Sequence, residues 1–288
     1  MLRDIEYVES MILRACNLAC DGCSTFSDLK WSEWTPWQKG KQEIEPWLQR
    51  VRPESWGIMG GEPLLHPELA EWLQGIRQLM PNTRIRFTTN TVLLHQNWHI
   101  AELLHDLGNC TLRFSYHTPG PELDSVIQRV FDTWSLSPVT EYGVKRWAGH
   151  NGFRFQISRP RDFLRSYQGT IPNIVPHHSE AAKAFAYCVQ QRCPMLWQGR
   201  LYKCSTAALT PDLLSRHGWP NLEQWQPYIG TGLDATCSNQ ELDEFLLNYG
   251  KANRICSQCP TEQDSHSIID HLSTVRYKSQ RLQLRNSS

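Results

Sequence analysis

Three cysteines near the start of the chain have the spacing of a metal centre. Cys16, Cys20 and Cys23 form a C-x3-C-x2-C pattern, and the next cysteine in the sequence is Cys110. Electron-transfer [4Fe-4S] centres normally use four cysteines, so the compact triplet predicts a four-iron cluster with one iron open to another ligand. Zinc is the alternative metal, with His66 or another distant residue as the fourth ligand.

A second motif strengthens the iron interpretation. Gly60, Gly61, Glu62 and Pro63 follow a predicted strand, Trp56 to Met59. In this order and separation, the cysteine triplet and the Gly-Gly-Glu-Pro segment together resemble the radical S-adenosylmethionine (SAM) family.

The resemblance implies a role for each motif. The triplet would hold the cluster, and the amino and carboxylate groups of the methionine part of SAM would chelate the open iron. Gly60 and Gly61 would let the backbone approach SAM without a Cβ in the way, and Glu62 would accept hydrogen bonds from the ammonium group. The chain departs from a common form of the pattern at Gly22, where the family often has a large side chain against the adenine.

Further candidates for SAM contact lie at later predicted strand ends. Asn90 and Thr91 resemble the family's Thr-Asn-Gly segment, and Ser115 resembles its ribose-contacting serine. Asn90 could equally cap a turn of the backbone. Arg159 could pair with the SAM carboxylate, or form a surface salt bridge instead.

Composition predicts a cytoplasmic enzyme. Lysine plus arginine equals aspartate plus glutamate, at 29 each, so no excess charge indicates a nucleic-acid or membrane partner. No apolar run approaches the ~18 residues of a membrane span, and the charged start lacks the apolar stretch of a secretory signal. The clustering of the ten cysteines favours metal ligation over disulfides.

Alternating apolar runs and helical patterns predict an α/β fold over residues 1–180. The predicted strands are 5–14, 56–59, 84–88, 111–115 and 153–157, and the predicted helices are 67–80, 98–107 and 124–134. Both motifs then follow strand ends, where α/β folds place ligands. The arrangement resembles the partial (β/α)6 barrel of the radical SAM family.

A second group of cysteines predicts another metal site in residues 181–275. Cys193 and Cys204 flank a predicted hairpin with Gly199 at its turn, and Cys256 and Cys259 form a C-x2-C pair. This arrangement resembles the twitch domain, the short form of the SPASM domain, which implies one auxiliary [4Fe-4S] cluster held by these four cysteines. The family's usual spacing would choose Cys188 instead of Cys193, and a four-cysteine zinc ribbon is the structural alternative. Residues 276–288 are predicted to be a flexible tail.

Two cysteines remain outside both groups. Cys110 and Cys237 have the character of small buried apolar residues. A thiol beside the substrate could also return a hydrogen atom to a carbon radical, as in an epimerase, and Cys237 is the candidate for that catalytic role.

The resemblance implies reductive cleavage of SAM to a 5′-deoxyadenosyl radical, which removes a hydrogen atom from a substrate carbon. We expect a peptide side chain as the substrate, with a small molecule of the amino sugar type as the alternative. A flavodoxin or ferredoxin would supply the electron. A protein of another class, a non-catalytic iron-sulfur redox sensor or electron carrier, would need neither an open iron nor the Gly-Gly-Glu-Pro segment.

Overall fold

Parallel strands form the centre of the main sheet. The computed structural model describes residues 2–29, 31–117, 119–160, 162–170, 173–218, 222–270, 274–278 and 285–286. Its helices are α1 (Trp37–Leu48), α2 (Leu69–Leu79), α3 (Trp98–Leu107), α4 (Pro121–Thr133), α5 (Ala181–Tyr187), α6 (Ser205–His217) and α7 (Asn239–Asn248). Its strands are β1 (Arg3–Met11), β2 (Leu18–Ala19), β3 (Glu33–Trp34), β4 (Val51–Met59), β5 (Arg84–Thr89), β6 (Cys110–Ser115), β7 (Ser137–Glu141), β8 (Val144–Ala148), β9 (Arg154–Ser158), β10 (Asp162–Leu164), β11 (Gln168–Thr170), β12 (Asn173–Val175), β13 (Met195–Trp197), β14 (Arg200–Tyr202), β15 (Leu233–Asp234), β16 (Ile268–Asp270), β17 (Arg276–Tyr277) and β18 (Arg285–Asn286).

The main sheet has the order β15-β14-β13-β1-β4-β5-β6-β9-β8-β7. The strands from β13 to β9 pair in parallel, and antiparallel strands extend both ends. This large parallel sheet confirms the predicted α/β class. The predicted strands and helices are all present, with ends that differ by a few residues.

Helix α1 was not predicted from the sequence. Gly40 and Pro46 interrupt its helical pattern, and its position depends on packing against α2. Gly40 lies under the ring of Trp72, and Gly75 of α2 lies under the ring of Trp37, so that an added Cβ would come within 2.0 Å of either ring. The two glycines let the helices approach closely enough for the tryptophans to meet edge to face at 5.2 Å.

None of the helices in the described ranges is long and apolar enough to cross a membrane.

The two faces of the parallel strands differ in polarity because successive side chains point to opposite sides. Apolar side chains such as Phe87, Leu112 and Phe155 pack into the main core. The other side, called here the inner face, carries polar side chains: Glu9, Arg86, Thr88, Arg113, Ser115, Gln156 and Ser158. The inner face therefore provides a polar wall along the strands.

The predicted hairpin around Gly199 is confirmed. Strands β13 and β14 pair antiparallel, and Gln198 and Gly199 both have positive φ, 51° and 74°, as a two-residue type I′ turn requires. The hairpin does not stand apart from the main sheet, because β13 pairs in parallel with β1. Behind it, α6 packs into a second core around Leu209, Leu213 and Trp225.

The chain end near residue 276 differs from the flexible tail that was predicted. Strand β17 pairs with β2 in the cysteine loop, with Arg276 opposite Ala19 and Tyr277 opposite Leu18. The Nζ of Lys278 donates to the carbonyl oxygens of Ser27 and Leu29 at 2.6 and 2.9 Å. Low apolar content does not prevent this order, because backbone pairing supplies it. Residues 279–284 and 287–288 lie outside the described residues.

A truncation pair tests whether β17 supports the cysteine loop. A chain that ends after Val275 loses the pairing with β2, whereas one that ends after Lys278 keeps it. We expect the shorter chain, reconstituted with iron and sulfide, to lose its visible absorbance to a chelator roughly tenfold faster, as with other outer supports of metal sites. Equal rates for the two chains would contradict a supporting role for Arg276–Lys278.

Candidate functional site

The cysteine triplet lies in the loop that follows β1. Cys16 and Cys20 are each 7% exposed, and Cys23 is half-buried. Burial raises the pKa of the Cys16 thiol to about 12, with a further contribution from the Glu62 carboxylate. Burial, and then the charges of Cys23 and Cys16, raises the pKa of Cys20.

The donor set of this loop fits a metal cluster. Three buried thiolates repel one another, so a bound cation is needed to keep all three ionised near neutral pH. The amine of Lys278 is the nearby positive charge, and burial lowers its pKa. Within the described ranges, no three His, Cys, Asp or Glu side chains converge on a point where one metal ion could bind. A cluster of several irons takes its thiolates on separate irons.

Gly60 and Gly61 continue β4 beside the cysteine loop. The Gly61 N–H donates to the carbonyl oxygen of Leu13 at 3.0 Å, and the Glu62 N–H donates to that of Ala15 at 2.8 Å. A Cβ on Gly60 would lie 2.6 Å from the Leu13 carbonyl oxygen, and one on Gly61 would lie 2.1 Å from that of Ala15. The chain's own cysteine loop therefore already requires glycine at both positions, and the approach of Gly60 and Gly61 to SAM stays a prediction.

Glu62 is fully buried and organises the turn after β4. One carboxylate oxygen accepts from the Thr89 hydroxyl at 2.6 Å and the Leu64 N–H at 3.1 Å, and the other accepts from the Asn90 N–H at 2.7 Å. Burial raises the Glu62 pKa to about 7, against the effect of these hydrogen bonds. Glu62 is not among the residues that line the cavity described below. The Glu62 carboxylate therefore supports the backbone at residue 64 and at residues 89–90. This position does not support the expected direct contact of Glu62 with the SAM ammonium group. Pro63 is also buried, and it starts the short 3-10 helix Pro63–Leu65 directly after Glu62.

Removal of the Glu62 carboxylate should be costly. In Glu62→Ala, the donors on Leu64, Thr89 and Asn90 lose a buried acceptor, and each unsatisfied buried group costs about 1–3 kcal/mol. We expect the free energy of unfolding to fall by about 3 kcal/mol in urea denaturation. Glu102→Ala, at an exposed position of α3, is the control and should change it by less than ~0.5 kcal/mol. Equal stability of the two variants would show that the Glu62 hydrogen bonds carry little weight.

Asn90 contacts the cysteine loop directly. Its Nδ2 donates to Asn17 Oδ1 at 2.7 Å and lies 3.8 Å from Cys16 Sγ. Its Oδ1 accepts from the Val92 N–H at 3.1 Å, so it also caps the local backbone. Thr91 has φ of 70°, the left-handed conformation that favours the glycine expected at this position.

Of the two remaining candidates, only one faces the site. Ser115 ends β6 beside Ser158 of β9, and both line the cavity. Arg159 is exposed, and its guanidinium lies over the Tyr116 ring at 4.9 Å. It is not among the lining residues, so the expected contact of Arg159 with SAM is not supported.

One cavity of about 510 Å³ connects the features described so far. The cysteine triplet, Gly60, Gly61, Asn90 and Ser115 line one part of it. Glu9, Thr88 and Arg113 line the part along the inner face. Both predicted motifs therefore meet at the carboxyl ends of parallel strands around a shared space.

This part of the sequence matches a known protein family. Residues 10–141, which contain the triplet and the Gly-Gly-Glu-Pro segment, match the Radical SAM superfamily. Residues 10–141 form a radical SAM domain.

Curated relatives match the same half of the chain. A GTP 3′,8-cyclase of Microcystis aeruginosa is 28% identical over 153 residues, which cover 51% of this chain and 43% of the relative. A GTP 3′,8-cyclase of Sulfurimonas denitrificans is 27% identical over 131 residues, 42% of this chain and 37% of the relative. The chain thus spans less than half of the length of these relatives.

A solved structure is similar over nearly the whole chain. The crystal structure of BtrN in complex with AdoMet and 2-DOIA aligns over 91% of this chain and 95% of its own, with a TM-score of 0.52 and 14% sequence identity. At that identity the likeness supports the fold alone. It agrees with a radical SAM fold of the TIM-like type.

The second cysteine group also borders the cavity. Cys188, Cys193, Cys204 and Cys259 all line it, and Cys256 is buried nearby. After burial, Cys259 and Cys188 are the thiols whose charges raise the pKa of Cys204. Burial raises the pKa of Cys259 to about 12, and Cys188 and Cys256 add to the shift. The charges of Cys188, Cys204, Cys256 and Cys259 thus influence one another's pKa values.

Cys193 has different neighbours. After burial, the Glu9 carboxylate is the main group that raises its pKa, to about 12, while Arg86 and Arg113 lower it. The thiol of Cys204 also raises the pKa of Cys193. Cys193 therefore faces the inner face of the sheet, whereas Cys256 of the C-x2-C pair is a thiol that raises the pKa of Cys188.

Cys237 and Cys110 are not among the residues that line the cavity. The Nη1 of Arg50, the residue before β4, donates to the Cys237 carbonyl oxygen at 2.5 Å and lies 3.2 Å from its Sγ. Cys110 is the first residue of β6 and its thiol donates to the Gly108 carbonyl oxygen. Both are at the amino ends of strands, and β4 alone is about 26 Å long at roughly 3.3 Å per residue. This position gives no support to the expectation that Cys237 donates a hydrogen atom at the site.

Sequence reasoning missed the polar residues of the inner face. Glu9, Thr88, Arg113 and Ser158 line the cavity, and none was singled out. A signal was present, because polar residues recur at every second position in β5, β6 and β9. Such alternation in strands otherwise rich in apolar residues indicates a second face that is not packed into a core.

Proposed function

We propose that the chain is a SAM-dependent radical enzyme that removes a hydrogen atom from a carbon of a bound substrate. The observation that carries the proposal is the shared cavity, which the triplet loop, the Gly-Gly segment and the second cysteine group all line. An electron carrier would need no ligand-sized space between its metal sites.

The triplet fits the first cluster by its chemistry. Cys16, Cys20 and Cys23 would hold it, and when bound with SAM it supplies the reductive cleavage that yields the hydrogen-abstracting radical. Gly60, Gly61 and Asn90 border the same space and would orient the methionine part of SAM. Glu62 acts behind them, because it fixes the turn after β4 and the start of the segment after β5.

The adenine of SAM also needs a partner, since Gly22 has no side chain to cover it. An added Cβ at Gly22 would lie 3.3 Å from Phe163 and from Ile269. Phe163 lines the cavity, and its ring meets that of His117 edge to face at 5.8 Å. We assign the covering role to Phe163, which reaches the space that Gly22 leaves open.

We assign an auxiliary [4Fe-4S] cluster to Cys188, Cys204, Cys256 and Cys259. The mutual effects of these thiols on their pKa values support Cys188 over Cys193. Tyr228 supports the site, with its hydroxyl 3.4 Å from Cys259 Sγ. Residues 181–275 would then form a twitch-like domain whose hairpin is joined to the main sheet.

The cavity favours a small molecule over a peptide as the substrate. Its volume lies within the range of about 300–1,000 Å³ typical of small-ligand pockets, and SAM would share it. The curated relatives are named for a reaction of GTP, also a small molecule. Modification of a peptide side chain remains a prediction from the sequence, and so does a flavodoxin or ferredoxin as the electron donor.

Iron content and SAM cleavage test the proposal. The protein reconstituted under anaerobic conditions should contain about eight irons, the sum of two four-iron clusters. Reduced with dithionite, it should form 5′-deoxyadenosine from SAM, and its electron paramagnetic resonance spectrum should shift when SAM is added. A spectrum that does not change when SAM is added would indicate an electron carrier. About four irons together with zinc would remove the auxiliary cluster from this assignment.

A further inference from the structure

The inner face of the sheet carries more positive than negative charge. Arg84, Arg86, Arg113, Arg146 and Arg154 influence one another there, together with Glu9 and Glu141. Glu141 accepts from Arg154 at 2.7 Å and from Arg146 at 3.4 Å, so it is committed to the end of the sheet near β7. Glu9 is the carboxylate that remains opposite Arg86 and Arg113. The cavity end of the inner face therefore has an excess of cation that the chain's overall neutrality does not reveal.

Arg113 is the member of this set that lines the cavity. Its Nη2 donates to Ser158 Oγ at 3.1 Å, and its Nε is buried with no hydrogen-bond partner. Burial, and then the charge of Arg86, lowers its pKa. Arg113 thus lines the cavity with one hydrogen bond to Ser158 and a donor left unsatisfied, and a guanidinium matches the planar, two-oxygen geometry of a carboxylate or phosphate.

The other charges nearby are already engaged. The Tyr7 hydroxyl donates to Glu9 at 2.9 Å, and the guanidinium of Arg86 lies over the Tyr7 ring at 4.7 Å. Glu9 is thus held by Tyr7 and faces both Arg86 and Arg113. One carboxylate cannot neutralise two guanidinium groups, so a net positive charge remains beside the cavity.

Arg113 also lies below the level at which SAM would bind. It comes two residues before Ser115 at the end of β6, which places it about 7 Å deeper along the strand. The triplet, where the SAM carboxylate would chelate iron, follows the carboxyl end of β1. An anion at Arg113 would therefore sit beneath SAM, on the substrate side of the cavity.

From this geometry we infer that Arg113, oriented by Ser158, binds an anionic group, a carboxylate or a phosphate, of the substrate. The inference rests on the proposed function, because it assigns the substrate class of the same cavity. Arg113 fixes the anionic end, and the rest of the substrate extends toward the Gly-Gly segment where its carbon would be attacked.

Calorimetric titration of the reconstituted, unreduced protein tests the inference without any radical chemistry. Inorganic phosphate and succinate are the probes, each titrated in the presence of saturating SAM. We expect at least one of them to bind, and Arg113→Gln to weaken that binding by at least ~10-fold, as for other partners of a buried charge. Arg52→Gln, at an exposed residue paired with Asp4, is the matched control and should bind as the wild type does. Ser158→Ala, which only loosens Arg113, should weaken binding by a smaller factor and gives a second reading if Arg113→Gln folds poorly.

Each outcome decides the matter. Binding of phosphate alone assigns a phosphorylated substrate, and binding of succinate alone assigns a carboxylate. If neither probe binds, or if Arg113→Gln weakens SAM binding and leaves the probes unaffected, the inference is overturned, and the second result assigns Arg113 to the SAM carboxylate. Probe binding that depends on Arg113 in a protein that never forms 5′-deoxyadenosine would keep the anion site and remove the proposed function.

Discussion

Alanine in place of Cys16, Cys20 or Cys23 should abolish the formation of 5′-deoxyadenosine. Each substitution removes a thiolate from a site that has three, and even outer-shell partners of metal ligands typically account for 10–100-fold of activity. We therefore expect a loss of more than ~100-fold in SAM cleavage, together with a fall in iron from about eight to about four per chain. Product can be measured by liquid chromatography, and iron by a colorimetric assay on the same sample.

Cys110→Ala is the matched control for these variants. Cys110 is buried like Cys16 and Cys20 but lies at the amino end of β6, where its thiol donates to the Gly108 carbonyl oxygen. Its iron content and SAM cleavage should equal those of the wild type. If a triplet variant kept its full iron content and cleaved SAM, the loop after β1 would not be the site of the first cluster.

Cys188→Ala and Cys193→Ala should separate sharply in iron content. The Cys188 thiol influences the pKa values of Cys204 and Cys259 and is assigned with them and Cys256 to the auxiliary cluster. Its loss leaves that cluster with three ligands, and we expect about four irons. Cys193 faces Glu9 and Arg113, so Cys193→Ala should retain about eight irons. Mössbauer or electron paramagnetic resonance spectra of the two variants would show which cluster is missing.

The opposite result would also be informative. About four irons in Cys193→Ala and about eight in Cys188→Ala would assign Cys193 as the ligand, as the hairpin spacing first suggested. If instead Cys193→Ala keeps its iron as expected, the Cys193 thiol is free of iron and lies at the inner face, beside the anion site inferred at Arg113.

Much of the fold could be predicted because its signals are local. The strands and helices of residues 51–134 follow from periodicity, and the hairpin at Gln198 and Gly199 follows from turn chemistry. Helix α1 could not be predicted in this way, since Gly40 and Pro46 weaken its local pattern and its stability comes from packing between Trp37 and Trp72.

The candidate site was predicted in part, for a related reason. The triplet and the Gly-Gly-Glu-Pro segment are contiguous motifs, and the rule that ligands bind at strand ends brings them together. The structure does not support the roles expected for Arg159 and Cys237. Position in the sequence does not show at which end of the sheet a residue lies, or whether it faces the cavity. The structure places Arg159 on Tyr116 at the surface and Cys237 beside Arg50, at the far end of β4.

The sequence by itself determined the chemistry available to this protein: thiols in two groups, glycines at a strand end, and a parallel α/β frame to carry them. Tertiary structure alone decided how these groups are used. It buried Glu62 under the segments that follow β4 and β5, and it placed Arg276–Lys278 against the cysteine loop. It also brought arginines from separate strands together on the inner face. These arrangements depend on which strands become neighbours, and contacts between distant residues leave no pattern in a single chain that local spacing could reveal.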